Sequence, residues 1–175
     1  MGENNTNNKA RFTARGGIYV ALSLFLLYST SFLPFNTIFI LGLTSAIIPL
    51  SILTTNIQNS VVVYISVSIL SYFLIPSKSM WLSYTIFFGI YGFVKLYIER
   101  LRRLSLEFVI KIVYFNMSMG IFYLIYKFLF VPSLLLPKNF LFLILAYQFM
   151  FIIYDYALTI FITYIDSNFI HKLNN

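Results

Sequence analysis

The chain contains no cysteine, one histidine and one tryptophan, and only 10% of its residues are charged. The lack of cysteine excludes disulfides, thiolate metal sites and cysteine nucleophiles. The shortage of charge excludes a soluble globule. With 60% hydrophobic residues and a mean hydropathy of +0.87, too little polar surface exists to cover a core. Catalytic signatures are absent as well: there is no His-Glu-x-x-His, no Gly-x-Ser-x-Gly, no Walker loop and no paired glutamates. A membrane enzyme acting on lipids or peptides needs acidic, histidine or serine side chains clustered at one depth. This sequence offers a single carboxylate well inside an apolar run, Asp155. The expectation is a protein without catalysis, cofactor or metal. Any active transport would require a separate ATP-driven motor.

What the chain has in abundance is apolar length. Phenylalanine (20) and tyrosine (14) are plentiful while alanine is scarce, and with many Ile, Asn and Lys residues this points to an AT-rich, bacterial genome. A bilayer-crossing helix needs about 20 mostly apolar residues and at least about 17. Six runs approach that length: 17–33, 37–53, 60–75, 81–98, 108–130 and 140–165. Pro34, Pro76, Pro132 and Pro137 punctuate them, and the uncharged segment TTNIQN makes a short turn between the second and third. The sixth run is long enough to tilt. Trp81 stands at a run's edge, where an interfacial aromatic anchor belongs. The predicted fold is an all-α, six-span membrane domain over 17–165, preceded by a polar, basic stretch at 1–16 and followed by a tail at 166–175.

The basic residues divide unequally between the two sides. Lys9, Arg11, Arg15, Lys95, Arg100, Arg102, Arg103, Lys111 and Lys172 fall on one side, and Lys78, Lys127 and Lys138 on the other. Nine against three is a positive-inside asymmetry that predicts both termini in the cytoplasm, in a bacterial plasma membrane. The formal charge of +7 then faces anionic headgroups, so the bilayer is the expected partner rather than nucleic acid. The opening MGENNTNN is expected to be disordered, and its match to a myristoylation pattern is taken as chance. A cleaved signal peptide is not expected, because five further apolar runs follow the first.

Within the spans a few polar residues are candidates for function. Asp155 lies ten residues before the inner end of the sixth span, about 15 Å along a straight helix. Lys95 and Lys111 reach a similar zone from the fourth and fifth spans. A buried charge requires a partner, so Asp155 pairing with one of these lysines is expected. The pair could serve packing, hold a ligand or ion, or meet inner-leaflet water. Asn116 and Gln148 fall near mid-depth, where amides either bridge helices or contact a ligand. His171, alone in the tail, reads as solvated. Lys95, Glu99, Arg103 and Glu107 are spaced by four, so a charged helical face is predicted along the link ERLRRLSLE. That link reads as a surface helix at the inner leaflet or as a docking surface carrying Arg100, Arg102 and Arg103. In the first span, Ala14, Gly17 and Ala21 form a small-residue face that admits close approach, either of a neighbouring span or of a separate membrane protein.

Three stretches carry a family resemblance. TARGGIYVALSLFLLY resembles the basic, small-residue first helix of the substrate-binding S components of energy-coupling factor transporters. The run IFILGLTSAIIPLSILTTNIQNSVVVYISVSILSYFLIP resembles their second and third helices, and the length and six-span outline are similar too. The pattern departs from the family where Ile18 follows Ala14 by four, and where TTNIQN stands in place of a glycine-rich turn. The resemblance implies a non-catalytic subunit that binds a small molecule near its outer side and delivers it to a transmembrane coupling subunit and ATPases. Tyr28, Asn36 and Gln148 are the polar candidates for such a ligand. The alternative is a scaffold of the cell envelope, similar in outline to the MreD-like shape-determining proteins, or an orphan structural membrane protein.

Overall fold

The computed structural model describes residues 2–33, 36–101, 103–131 and 140–167, and the side chains of 9–33, 36–101, 103–131 and 142–167. Six helices follow one another: α1 (Gly2–Ser29), α2 (Thr37–Thr54), α3 (Ile57–Leu74), α4 (Lys78–Glu99), α5 (Leu104–Leu129) and α6 (Phe140–Ile165). All six are long and apolar enough to cross a bilayer, and no strand occurs among the described residues. This is an all-α, multi-pass membrane fold. In it every backbone N–H and C=O can be satisfied within its own helix, as hydrocarbon demands.

Local chemistry sets the boundaries. Asn56 caps α3, its side-chain oxygen accepting the N–H of Asn59 at 2.7 Å, and this turns the chain after α2 within two residues. Ile75 is extended (φ −93°, ψ 122°), as a residue before proline prefers, and this ends α3. Three helices start earlier than the apolar runs indicate, at Ile57, Lys78 and Leu104. Polar residues can complete a first turn that lies beyond the hydrocarbon. α1 likewise starts at Gly2, in place of an expected disordered stretch, and no proline interrupts residues 2–29.

The predicted charged face on the link between the fourth and fifth spans is not formed. α4 ends at Glu99, and Arg103 is extended (φ −129°, ψ 96°), so the helical register is broken between them. Lys95 and Glu99 share one helix, whereas Glu107 belongs to the next. Among the described residues, no surface helix lies between α4 and α5. Arg102, Lys138, His171, Lys172 and the PSLLLPKN segment fall outside the described residues.

α2 and α4 are the central helices. α1 and α3 pack against α2 on one side, while α5 and α6 complete the other. The α1–α3 side is closed by small hydroxyl residues: Ser23, Thr30, Thr44, Ser51, Ser60 and Ser71 are all buried. The Ser60 and Ser51 hydroxyls lie 2.9 Å apart across the α2–α3 contact. Small polar side chains let helices approach without voids when lipid is as apolar as the core. At the basic end, Arg15 donates to the Thr54 carbonyl at 2.9 Å and Asn59 donates to that of Phe12 at 3.0 Å, tying α1 to its neighbours.

The closest helix approaches are made by glycines other than Gly17. A Cβ on Gly92 would lie 2.8 Å from Cδ of Pro49, and one on Gly89 would lie 2.7 Å from the Tyr64 ring. Gly92 thus seats the proline of α2 directly against α4. A Cβ on Gly16 would meet the Asn59 side chain at 2.9 Å, but nothing lies within 4 Å of that position on Gly17. Ala14, Gly17 and Ala21 are all exposed, on the outward side of α1 that also carries Ile18 and Phe25. Internal packing is therefore not the role of that face.

Candidate functional site

Four charged side chains from three helices converge near the basic end of the bundle. Lys95 and Glu99 come from α4, Lys111 from α5 and Asp155 from α6. The Lys95 ammonium lies 2.5 Å from Oδ1 of Asp155 and 2.8 Å from Oε1 of Glu99. Lys111 lies 2.7 Å from the other Asp155 oxygen, Oδ2, and 3.4 Å from the same Glu99 oxygen. Tyr91 donates its hydroxyl to Asp155 Oδ1 at 2.6 Å, and Lys95 also donates to Thr159 Oγ1 at 2.7 Å.

The set is electrically complete. Two ammonium groups face two carboxylates, and Lys95 is fully buried with every donor directed at an oxygen. In a low-dielectric setting the cost of an unpaired charge is several kcal/mol, so this closure is what permits the charges to reside there. Asp155 meets both candidate lysines, the pairing expected from sequence, and Glu99 and Tyr91 join them. Spacing on the helices accounts for the additions. Tyr91, Lys95 and Glu99 are four apart on α4, as are Asp155 and Thr159 on α6, so each trio or pair shares a face.

A layer of aromatic rings packs beside this ionic box. Phe115 and Phe151 stack at 4.7 Å, and Phe87 stacks on Tyr91 at 5.6 Å. Tyr154 adds a hydrogen bond to Ser45, linking α6 to α2. On α6 the inward residues Phe151, Tyr154, Asp155, Leu158 and Ile162 recur at three and four, while most other α6 side chains face outward.

Beyond the rings, α4 departs from the regular helix. Residues Tyr84–Phe88 form a π-helical segment in which the N–H of Gly89 bonds back to Tyr84. Such a turn widens the helix and loosens its carbonyls, and neighbouring tyrosines donate to them. Tyr64 of α3 donates to the Thr85 carbonyl at 2.8 Å, and Tyr114 of α5 approaches those of Ile86 and Phe87 at 3.4 Å.

The π segment floors a groove of about 370 Å³ between α3, α4 and α5. Tyr64, Thr85, Tyr114 and Ser118 supply its polar groups, and Met117 and Ile121 form its outer wall on α5. The Thr85 hydroxyl is buried and has no hydrogen-bond partner among the described residues. A second, much smaller cavity of about 40 Å³ adjoins Lys95, Glu99 and Gly92, beside the ionic box.

The ligand candidates Tyr28, Asn36 and Gln148 are not gathered into a pocket. Tyr28 is half-exposed on α1, edge-on to Phe32 at 5.4 Å. Asn36 is exposed just before α2. Gln148 donates to Asn116 at 3.2 Å on the exposed side of the α5–α6 contact, bridging the two helices as membrane amides commonly do. Neither groove nor cavity is lined by any of the three. Arg100 and Arg103 are exposed, with Arg100 over the Tyr97 ring at 5.7 Å. Among the described residues no group of histidine, cysteine or acidic side chains could hold a metal.

The groove's residues carry no distinctive sequence signal, because tyrosine, threonine and serine in an apolar run look like any membrane helix. The one available signal was the pair Gly89 and Gly92, which marks where α4 has bulky neighbours on one side. Comparison with protein-family models, curated proteins and solved structures gave no match.

Proposed function

We propose that this chain is a non-catalytic, small-molecule-binding subunit in a bacterial plasma membrane, with both termini in the cytoplasm, that acts with a separate transmembrane coupling subunit and ATPases. The observation that carries the binding role is the groove floored by the π segment. At about 370 Å³ it falls within the range of about 300–1,000 Å³ usual for ligand pockets, and it combines apolar walls with a few hydroxyls. π segments recur at functional positions because they cost backbone regularity that packing alone does not require. The ionic box fits the non-catalytic part of the reading, since both of its carboxylates are paired with lysines. The outward small-residue face of α1 suits contact with the coupling subunit, and the resemblance in outline to energy-coupling factor S components supplies the importer role.

The orientation is tested by single introduced cysteines, since the natural chain provides a cysteine-free background. Positions 36, 78 and 138 should react with a membrane-impermeant maleimide from outside intact cells. Labelling of position 78 only after lysis would refute cytoplasmic termini. The importer role is tested by purifying the tagged chain from its native membrane and assaying the complex. A coupling subunit with ATPase partners, and uptake that stops when ATP hydrolysis is blocked, is the expected outcome. Recovery of cell-wall synthesis proteins with no ATPase would establish the scaffold alternative.

A further inference from the structure

We infer that the groove takes a neutral, membrane-dissolved alcohol, with a long hydrocarbon or prenyl body and a hydroxyl head, and that it fills from the bilayer core rather than from water. This rests on the groove being the ligand site. Three features select the chemistry. None of the groove-lining residues is charged. The nearest cation on α5, Lys111, is one turn from Tyr114 but already bonded to Asp155 and Glu99. A carboxylate or phosphate would have no counter-charge there, and a cation would have no free carboxylate.

The hydrogen-bonding capacity left over is that of hydroxyl groups. Tyr64 uses its proton on the Thr85 carbonyl, so its remaining capacity is that of an acceptor. Tyr114 directs its proton toward the Ile86 and Phe87 carbonyls in the same way, and its oxygen has the Ser118 hydroxyl as a partner, which leaves one lone pair. Thr85 retains both a donor and an acceptor. In a helix threonine has two accessible χ1 wells, so one rotation re-aims its oxygen. A ligand hydroxyl donates to one of these oxygens and accepts from Thr85. A ketone or ester offers nothing to the tyrosines, and a strongly polar, water-soluble molecule would leave its other polar groups against isoleucine and methionine.

Access follows from the walls. Met117 is 62% exposed and Ile121 44% exposed on the apolar surface of α5. The groove therefore opens sideways, at the level of the hydrocarbon, through residues that acyl chains wet freely.

The experiment uses the full chain in nanodiscs and three photoactivatable probes of one length: a prenyl alcohol carrying a diazirine, the matching carboxylic acid and the matching hydrocarbon. The alcohol should crosslink saturably to α3 and α5 residues around the groove. Unlabelled alcohol should displace it, and a tenfold excess of acid or hydrocarbon should not. Thr85→Val, close in shape and lacking the oxygen, should weaken labelling at least fivefold with helicity and melting unchanged. Ile121→Trp, which fills the groove mouth, should abolish it.

Equal labelling by the hydrocarbon without saturation would overturn the proposal, because the occupant would then be an ordinary acyl chain. If the alcohol fails and a water-soluble compound from a metabolite screen stabilises the protein in an Ile121→Trp-sensitive way, the alcohol is refuted while the groove stands as a ligand site. If neither probe nor metabolite distinguishes Ile121→Trp from the natural chain, both the alcohol and the groove's binding role are refuted.

Discussion

The ionic box and the groove are two polar regions inside this bundle, and they treat hydrogen-bonding capacity in opposite ways. In the box, Lys95, Lys111, Glu99 and Asp155 complete one another within 2.5–3.4 Å, and Tyr91 and Thr159 add to the closure. In the groove, the Thr85 hydroxyl is left without a partner among the described residues, although it is buried. The difference follows from electrostatics. An unpaired charge in a low-dielectric interior costs several kcal/mol, so ions must be neutralised by the fold itself. A neutral hydroxyl left unpaired costs about 1–3 kcal/mol, which a bundle can tolerate. Full satisfaction thus marks a joint, and incomplete satisfaction beside open volume marks a place for something else to bind.

Removing one member of the box is the severest way to break this comparison. Asp155→Ala leaves Lys95 and Lys111 sharing Glu99 alone, and should destabilise the protein by about 3–5 kcal/mol. Reversible unfolding in mixed micelles would measure it. Replacing all four charges together with apolar residues of similar volume should cost far less than Asp155→Ala, because no charge is then orphaned. A quadruple variant as unstable as the single one would show that the box is more than a neutral joint.

Overpacking comes next. Gly92→Val places carbon where Pro49 already lies 2.8 Å away, and should cost about 1–3 kcal/mol in the same assay. An unchanged melting point would mean that α2 and α4 slide apart without penalty. Gln148→Leu, which removes a neutral amide bridge to Asn116, should cost only about 0.6 kcal/mol, the usual size for such a bond between membrane helices. A loss as large as that of Asp155→Ala would erase the contrast drawn between charged and neutral polar contacts.

The smallest effect on the isolated chain is expected at Gly17. Gly17→Leu should change its stability by less than about 0.5 kcal/mol, since no atom lies within 4 Å of the new side chain's first carbon. If a coupling subunit docks there, the same substitution should still abolish complex formation. Loss of the isolated chain's own stability would show that the face packs internally after all.

Legibility in the sequence varied from element to element. The sixth helix was legible to the residue at 140–165, since a long apolar run bounded by polar residues has one solution in a bilayer. The fourth and fifth helices begin three and four residues before their apolar runs, because their first turns are polar. Lys95 and Lys111 were recognisable as partners of Asp155 because charge inside a span has so few alternatives. Tyr28, Asn36 and Gln148 are candidates only as polar residues near the outer-side site that the resemblance implies, and neither polarity nor depth says which way a side chain points.

By itself the sequence determined the solvent, the number of helices and the need for Asp155 to be paired, all consequences of how strongly hydrocarbon rejects charge and unbonded backbone. Tertiary structure decided which faces meet. In water a helix announces its buried side by the contrast between polar and apolar residues. In lipid both sides are apolar, so that contrast disappears. Only packing shows that Gly92 rather than Gly17 is the close contact, that the helix breaks before Arg103, and that Tyr64, Thr85 and Tyr114 surround one groove. Those facts depend on shape complementarity between helices distant in the chain, which no local pattern of residue types encodes.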